Sequence, residues 1–282
     1  MIMFRLTTAL LVALCLALPA QSVLARDPDM LPSAHHEAAR IMSSEQAMTQ
    51  ALAQLKALTA LPPPTAPVER IRYDLSVAVA GYAYRNAARD EELRVYELAG
   101  YASVENSVLP LLPRSLAKSL KAAIAGLHYL YILAGIDQYY LVNVHFTHPY
   151  ADAKPVDQLR SYYQEAYATF GVDPSILASI NFIESNFGRV NGPSSAGAQG
   201  PMQFLPGTWA AFGDGGDVND PHDAILGAAR YLVHNGAPKD MRNAIWHYNN
   251  SFNYVDSVQS FAAAYRSDPA WLDRMFYWNT TG

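Results

Sequence analysis

The stretch that decides the fold runs from Asp173 to Gln203 and reads DPSILASINFIESNFGRVNGPSSAGAQGPMQ. Its first half predicts a helix, because the Asp173 carboxylate can accept the free N–H groups of the first turn. Pro174 fits the first helical position, where a missing N–H costs nothing. Apolar residues then recur at helical spacing, at Ile176, Ile180, Ile183 and Phe187. Gly188 suits the left-handed residue that ends a helix.

Glu184 lies on the apolar side of this predicted helix, on the same face as Leu177, Ile180 and Phe187. A carboxylate with apolar neighbours loses hydration, so we expect its pKa to rise. A carboxyl group that keeps its proton near neutral pH can act as a general acid on a glycosidic bond. On the helix alone, a charged and solvated Glu184 at the rim of an amphipathic face is the simpler interpretation.

The loop after the helix favours the catalytic interpretation. Five Gly or Pro residues lie between Gly192 and Pro201, and glycine lets the backbone approach a ligand closely. Met202, Gln203 and Phe204 follow. The Gln203 amide can both donate to and accept from sugar hydroxyls or an acetamido group. A surface turn with an incidental glutamine is the alternative.

Three motifs follow one another along the chain: Glu184-Ser185-Asn186-Phe187-Gly188, then Gly200-Pro201-Met202-Gln203, and finally Tyr248-Asn249. Together they resemble the lytic transglycosylases of the goose-lysozyme-like (SLT) class, over about residues 155–265. The resemblance implies an all-α chain, with a lysozyme-like catalytic domain and additional N-terminal helices. It also implies a peptidoglycan substrate and neither a metal nor an organic cofactor.

The resemblance further implies a reaction. Glu184 would cleave the β-1,4 bond between N-acetylmuramic acid and N-acetylglucosamine, acting first as acid and then as base, and would leave a 1,6-anhydro end. The residues expected to contact the substrate are Ser185, Met202, Gln203, Phe204, Tyr248 and Asn249. One alternative is a hydrolase of the same fold, in which Asp214, Asp217 or Asp220 activates water. Another is a glycan-binding or assembly protein without turnover.

Residues 1–25 predict a signal peptide, with a positive charge before the apolar run Leu6–Leu18 and a cleavage site at Val23–Ala25. We therefore expect export to the periplasm or cell wall, with Arg26 first in the mature chain. An uncleaved anchor is the alternative, although the apolar run is short for a membrane span. Cys15 is the single cysteine and lies in this segment, so we expect no thiol chemistry after cleavage.

The formal net charge is −5 and no basic run occurs, which argues against nucleic acid as a partner. We expect a monomer that binds peptidoglycan glycan strands, with a protein of the cell wall or a secretion apparatus as a further partner. After the signal peptide we divide the chain into a helix with a Pro-rich linker (26–67), an N-terminal helical region (68–154) and the catalytic domain (155–282).

Four smaller patterns complete the interpretation. Ile71, Leu75, Val79 and Tyr82 share one face of a predicted helix. His145-x-x-His148 is too sparse for a metal site. Asp220 and Pro221 predict the start of a helix rather than a calcium loop. The aromatic segment Trp271–Trp278 predicts a C-terminal clasp on the catalytic domain, with a sugar platform as the alternative.

Overall fold

The computed structural model describes residues 33–60, 62–100, 102–135, 151–190 and 192–278. Along the chain its helices are α1 (Ala34–Thr59), α2 (Pro67–Gly100), α3 (Ala102–Val108), α4 (Arg114–Ala134), α5 (Val156–Phe170), α6 (Pro174–Ser185), α7 (Pro206–Phe212), α8 (Pro221–His234), α9 (Met241–Asn249), α10 (Phe252–Ser267) and α11 (Ala270–Phe276), with a 3₁₀ turn at Leu109–Leu111. These ranges contain no β-strand, only an isolated bridge between Gln199 and Phe204. The predicted all-α class is confirmed.

Three sequence predictions fall outside the described residues. They are the signal peptide over residues 1–25, the His145–His148 pair, and the domain boundary at 154 as far as it depends on residues 136–150. Within the described ranges, none of the helices has both the length and the hydropathy needed to cross a bilayer.

The first two helices form a hairpin. Pro62–Pro64 lie in the connection between α1 and α2, where the sequence predicts a stiff corner. Buried Met48 and Ala51 of α1 pack with Tyr84 and Ala88 of α2. Beyond Tyr84, α2 enters the main body of the protein, where Val95 and Leu98 join the large core.

Helices α4 and α10 pack closely against each other at the centre of the molecule. A Cβ on Gly126 of α4 would lie 2.8 Å from the ring of Phe261 of α10, so this contact leaves no room for a larger residue at position 126. The Ser257 hydroxyl donates to the Gly126 carbonyl oxygen at 2.9 Å. One continuous core runs from Ala38 in α1 to Trp278. The N-terminal helices therefore pack directly on the region predicted to be catalytic, and the exact boundaries at 67 and 154 stay predictions.

The C-terminal aromatic segment closes over this core. Trp271 and Trp278 are fully buried. Phe276 packs against Phe187, with 5.7 Å between ring centroids, and Trp278 lies 6.3 Å from the Phe182 ring. The predicted clasp is confirmed. These buried rings support α6 from behind, because Phe182 and Phe187 flank Glu184 in the sequence.

One predicted helix end differs from the structure. Helix α6 ends at Ser185, and Asn186 rather than Gly188 takes the left-handed position directly after it, with φ 49°. Helix α4 begins at Arg114, directly after Pro113. The predicted start of α8 is confirmed, since the Asp220 carboxylate accepts from the N–H groups of His222 and Asp223.

Candidate active site

Glu184 occupies the last turn of α6 and is only 4% exposed. The helix begins as predicted, with the Asp173 carboxylate accepting from the Ser175 N–H at 2.8 Å. Leu177 and Ile180 on the same helix are fully buried, and so is Phe187 in the turn that follows it. A carboxyl group in these surroundings loses most of its hydration, so its protonated form is favoured.

The Tyr254 hydroxyl donates a hydrogen bond of 2.6 Å to Glu184 Oε1. Burial raises the pKa of Glu184 from its usual 4.5 to about 7, while this hydrogen bond lowers it in part. The rise predicted from the apolar face is therefore confirmed in direction. At neutral pH both protonation states of this carboxyl are populated, which suits a group that gives and then takes a proton.

The chain turns sharply after Glu184. Asn186, Phe187 and Gly188 have φ values of 49°, 61° and 87° in succession. The left-handed region costs energy for residues other than glycine, and such residues cluster at functional sites. Backbone bonds hold the turn, since the Asn186 and Phe187 N–H groups donate to the carbonyl oxygens of Phe182 and Asn181 at 2.9 and 3.1 Å.

Buried side chains tie this turn to the Gly-Pro-Met-Gln segment. The Ser185 hydroxyl donates to the Pro201 carbonyl oxygen at 2.6 Å and accepts from the Gly188 N–H at 2.8 Å. The Asn181 amide donates to the same Pro201 oxygen at 2.9 Å, and Tyr163 donates to the Asn181 amide oxygen at 2.7 Å. Ser185 is fully buried, so its observed contacts are all with the protein.

The Gly-Pro-Met-Gln segment forms a tight turn. Gln199 and Phe204 exchange two backbone hydrogen bonds of 2.9 Å. Gly200 must be glycine, because its φ is 72° and a Cβ there would lie 1.8 Å from the Val218 carbonyl oxygen. Gln203 is left-handed, with φ 50°, and half-buried. Met202 and Phe204 are buried and face the protein interior.

The Tyr248-Asn249 pair closes the other side of the site at the end of α9. The Tyr248 hydroxyl donates to the Met202 carbonyl oxygen at 2.8 Å. Its ring stacks on Tyr254, with 6.3 Å between centroids and 9° between planes. Burial and then the nearby Glu184 carboxylate raise the pKa of Tyr248. Asn249 is half-buried, and its amide oxygen has no partner among the described residues.

The three aspartates of the turn before α8 all bond other groups of the protein. Asp214 pairs with Arg230 at 3.0 Å, Asp217 accepts from the Asn219 N–H at 2.9 Å, and Asp220 caps α8. Burial and the Tyr254 hydrogen bond are the two causes that shift the pKa of Glu184. No second carboxylate in the described part of the chain contributes to that shift.

The structure thus brings the predicted site residues into one cluster. Its members are Glu184 and Ser185 at the end of α6, Met202, Gln203 and Phe204 in the tight turn, and Tyr248 and Asn249 at the end of α9. Sequence reasoning missed Tyr254 and Asn181. Tyr254 lies five residues after Asn249, in the first turn of α10, and this closeness to the Tyr248-Asn249 pair is the signal that could have pointed to it.

Comparisons with known proteins agree with this geometry. Residues 161–268 match the family model described as the transglycosylase SLT domain. A similar curated protein is the membrane-bound lytic murein transglycosylase F of Thiobacillus denitrificans (strain ATCC 25259 / T1), with 30% identity over 124 residues. The match covers 41% of this chain and 26% of that relative. No solved structure matches the chain. Residues 161–268 therefore match a transglycosylase SLT domain, and the described fold is all-α and lysozyme-like, with additional helices outside the matched residues.

Proposed function

We propose that this protein is a lytic transglycosylase that cleaves the β-1,4 bond between N-acetylmuramic acid and N-acetylglucosamine in peptidoglycan, with a 1,6-anhydro end as product. The observation that carries the proposal is Glu184: a buried carboxyl with a pKa of about 7, held by Tyr254. Since the chain spans about a quarter of the length of the relative it matches, the activity of the whole protein is part of this proposal.

In the first step, protonated Glu184 gives its proton to the glycosidic oxygen, and the bond from this oxygen to C1 of the muramic acid breaks. Positive charge develops at C1. The acetamido carbonyl oxygen of the same sugar donates electrons to C1, so the enzyme needs no nucleophile of its own. The Tyr254 hydroxyl stabilises the Glu184 carboxylate left by the transfer, because a hydrogen bond to the charged form favours that form.

In the second step, the Glu184 carboxylate takes the proton from the 6-hydroxyl of the muramic acid. The 6-oxygen attacks C1 within the same sugar and closes the 1,6-anhydro ring, while the acetamido oxygen leaves C1. Glu184 is then protonated again, and no water has been consumed. A single group with a pKa near the working pH can perform both transfers.

The predicted substrate residues separate into two roles under this proposal. Gln203, Tyr248 and Asn249 are half-buried and hold the sugar. Ser185, Met202 and Phe204 are buried, with at most 3% exposed, so we assign them to the wall behind the sugar rather than to direct contact.

Export by residues 1–25 is also a proposal. It is supported by the signal-peptide pattern in the sequence and by the location of the substrate outside the cytoplasm. The relative is named as a membrane-bound protein. Amino-terminal sequencing of exported protein should begin at Arg26, and a chain that still begins at Met1 would contradict cleavage.

Product analysis on purified peptidoglycan tests the reaction. The expected product is lighter by one water than the reducing-end sugar that a hydrolase releases. Glu184→Gln keeps the shape of the side chain and removes the proton, so turnover should be lost while glycan binding remains. Glu165→Gln is the matched control, because Glu165 is the other glutamate of residues 155–282 and its contact is His222 on the surface. A reducing end as the main product would identify a hydrolase instead.

A further inference from the structure

The outer half of α2 carries an apolar stripe that no described residue covers. The exposed fractions are 57% for Val68, 67% for Ile71, 62% for Leu75, 56% for Val79 and 60% for Tyr82. These residues lie on the side of α2 opposite Tyr84 and Ala88, which pack on α1. We call these five residues the α2 stripe. It runs about 21 Å along a single helix.

The α2 stripe is large for a surface that stays in water. A large apolar side chain that is more than half exposed shows on the order of 100 Å² to solvent. The whole stripe therefore exposes on the order of 500 Å², close to the largest apolar patches of monomeric proteins. Two such stripes in contact would bury on the order of 1,000 Å², the lower limit for a specific interface.

The spacing of the α2 stripe reads the same in both directions. The steps between its residues are three, four, four and three positions, with Leu75 at the centre. When two copies pack antiparallel about a two-fold axis, each residue meets the position equally far beyond the axis. Val68 then lies opposite Tyr82 of the second copy, Ile71 lies opposite Val79, and Leu75 meets Leu75.

We propose that the α2 stripe is a dimer interface, in which α2 of one copy packs antiparallel on α2 of a second copy about an axis at Leu75. The charged residues between Ile71 and Tyr82 are Arg72 and Asp74. In a parallel pair, Arg72 would lie at the same height as Arg72 of the second copy and Asp74 at the same height as its Asp74, so like charges would be neighbours. It would also bring the two bodies together, because Tyr84, two residues beyond the stripe, already packs against Tyr277 of the C-terminal segment. This proposal differs from the monomer expected from the sequence.

Sedimentation velocity of the full chain over a range of concentrations tests for the dimer. Leu75→Lys puts a charge on the axis in both copies, so the dimer dissociation constant should rise at least about 100-fold. Glu69→Lys introduces the same side chain at an exposed position of α2 outside the stripe and should change the constant only a few-fold. A wild-type chain that stays monomeric at every concentration would overturn the proposal.

Cross-linking tests the orientation without depending on a disruptive variant. In a Cys15→Ser background the chain has no cysteine, so a short bismaleimide reports only on introduced thiols. Leu75→Cys alone should cross-link. Val68→Cys alone should not, whereas Val68→Cys mixed with Tyr82→Cys should. Equal cross-linking of Val68→Cys to itself would overturn the antiparallel arrangement.

Two other occupants of the stripe give different results. If a lipid surface covers it, the chain stays monomeric and binds neutral phosphatidylcholine vesicles in a manner that Leu75→Lys abolishes. If another segment of the same chain covers it, the chain stays monomeric and the thiol of Leu75→Cys resists alkylation. Either result would overturn the dimer. Concentration-dependent dimers that fail to form with Leu75→Lys, together with the mixed cross-link, would support it.

Discussion

The Tyr254 hydroxyl lies 2.6 Å from Glu184 Oε1, although the two residues are 70 positions apart in the chain. This contact joins α10 to α6 at the point where the proposed acid and base lies. Burial raises the pKa of Glu184, and the Tyr254 hydrogen bond lowers it in part. The contact between Tyr254 and Glu184 therefore sets the pH range in which Glu184 can both donate and accept a proton.

Tyr254→Phe should raise the pKa of Glu184, because it removes the one hydrogen bond that favours the carboxylate. Activity that depends on protonated Glu184 falls above about pH 7 in the wild type, and this fall should move to higher pH in the variant. The rate at the optimum should drop up to about tenfold. The measurement is a pH–rate profile on peptidoglycan.

Tyr248→Phe is the matched control for this profile. Its hydroxyl donates to the Met202 carbonyl oxygen, so its loss should loosen the tight turn and lower the rate with little movement of the profile. A shift equal to that of Tyr254→Phe would contradict the assignment of Tyr254 as the residue that tunes Glu184.

Glu184→Gln should stabilise the fold at alkaline pH. Below pH 4.5 the carboxyl is protonated in both folded and unfolded chains, so it gives no pH dependence. As the pH rises towards 7, the unfolded chain loses the proton first, and the folded state loses stability up to about 3 kcal/mol. The variant lacks this loss. In denaturant unfolding, its free energy of unfolding should therefore exceed that of the wild type by an amount that grows from pH 4 to pH 8. Exposed Glu69→Gln is the control for removing one carboxylate from the chain.

Much of the helical framework could be predicted because its signals are local. Asp173 and Asp220 cap α6 and α8, as the sequence predicts. These features depend on side chains that bond their own neighbouring backbone. The end of α6 was missed because Asn186 competes with Gly188 for the left-handed position, and buried contacts decide between them.

The site was predictable where a residue's neighbours on one helix determine its chemistry. The apolar face of α6 gives the direction of the Glu184 pKa. Contacts between distant segments could not be predicted in the same way. The Tyr254 hydrogen bond and the burial of Ser185 under Pro201 arise from packing between helices and the tight turn. The apolar face at Leu75 was visible in sequence, but its exposure was not.

The acidic turn should be dispensable for chemistry if Glu184 acts alone. Asp214→Asn and Asp217→Asn should keep most activity, since these carboxylates hold Arg230 and the turn backbone. Asp220→Asn should also be mild, because asparagine caps a helix about as well as aspartate. Activity and product mass are measured together for each variant. Collapse of activity in one of them, with a reducing-end product, would indicate an activated water.

Arg274 should be a main support between the N-terminal helices and the C-terminal clasp. It bonds Glu45 of α1, Glu91 of α2 at 3.3 Å and Asp268 at 3.2 Å. Burial raises the pKa of fully buried Glu91 to about 8, and Arg274 opposes this rise. Arg274→Met should cost about 3–5 kcal/mol in urea unfolding at about pH 9, where Glu91 is ionised in the wild type and would lose its cation.

A second substitution separates this buried contact from an ordinary surface ion pair. Adding Glu91→Gln to Arg274→Met removes the uncompensated charge, so the double variant should regain part of the lost stability. A cost below about 1 kcal/mol for Arg274→Met would be typical of an exposed pair and would contradict this role.

Two helical glycines should respond to alanine in opposite directions. A Cβ on Gly126 would lie 2.8 Å from the Phe261 ring, which is fully buried and cannot move aside. Gly126→Ala should therefore push α4 and α10 apart and cost about 1–3 kcal/mol. On Gly81 of α2 the nearest atom to a Cβ is the flexible Arg85 guanidinium, at 3.6 Å. Gly81→Ala should stabilise the fold by up to about 1 kcal/mol, because alanine favours a helix interior. Thermal and urea unfolding of both variants measure the difference, and destabilisation of equal size in the two would show that the close approach of α4 and α10 is not what requires Gly126.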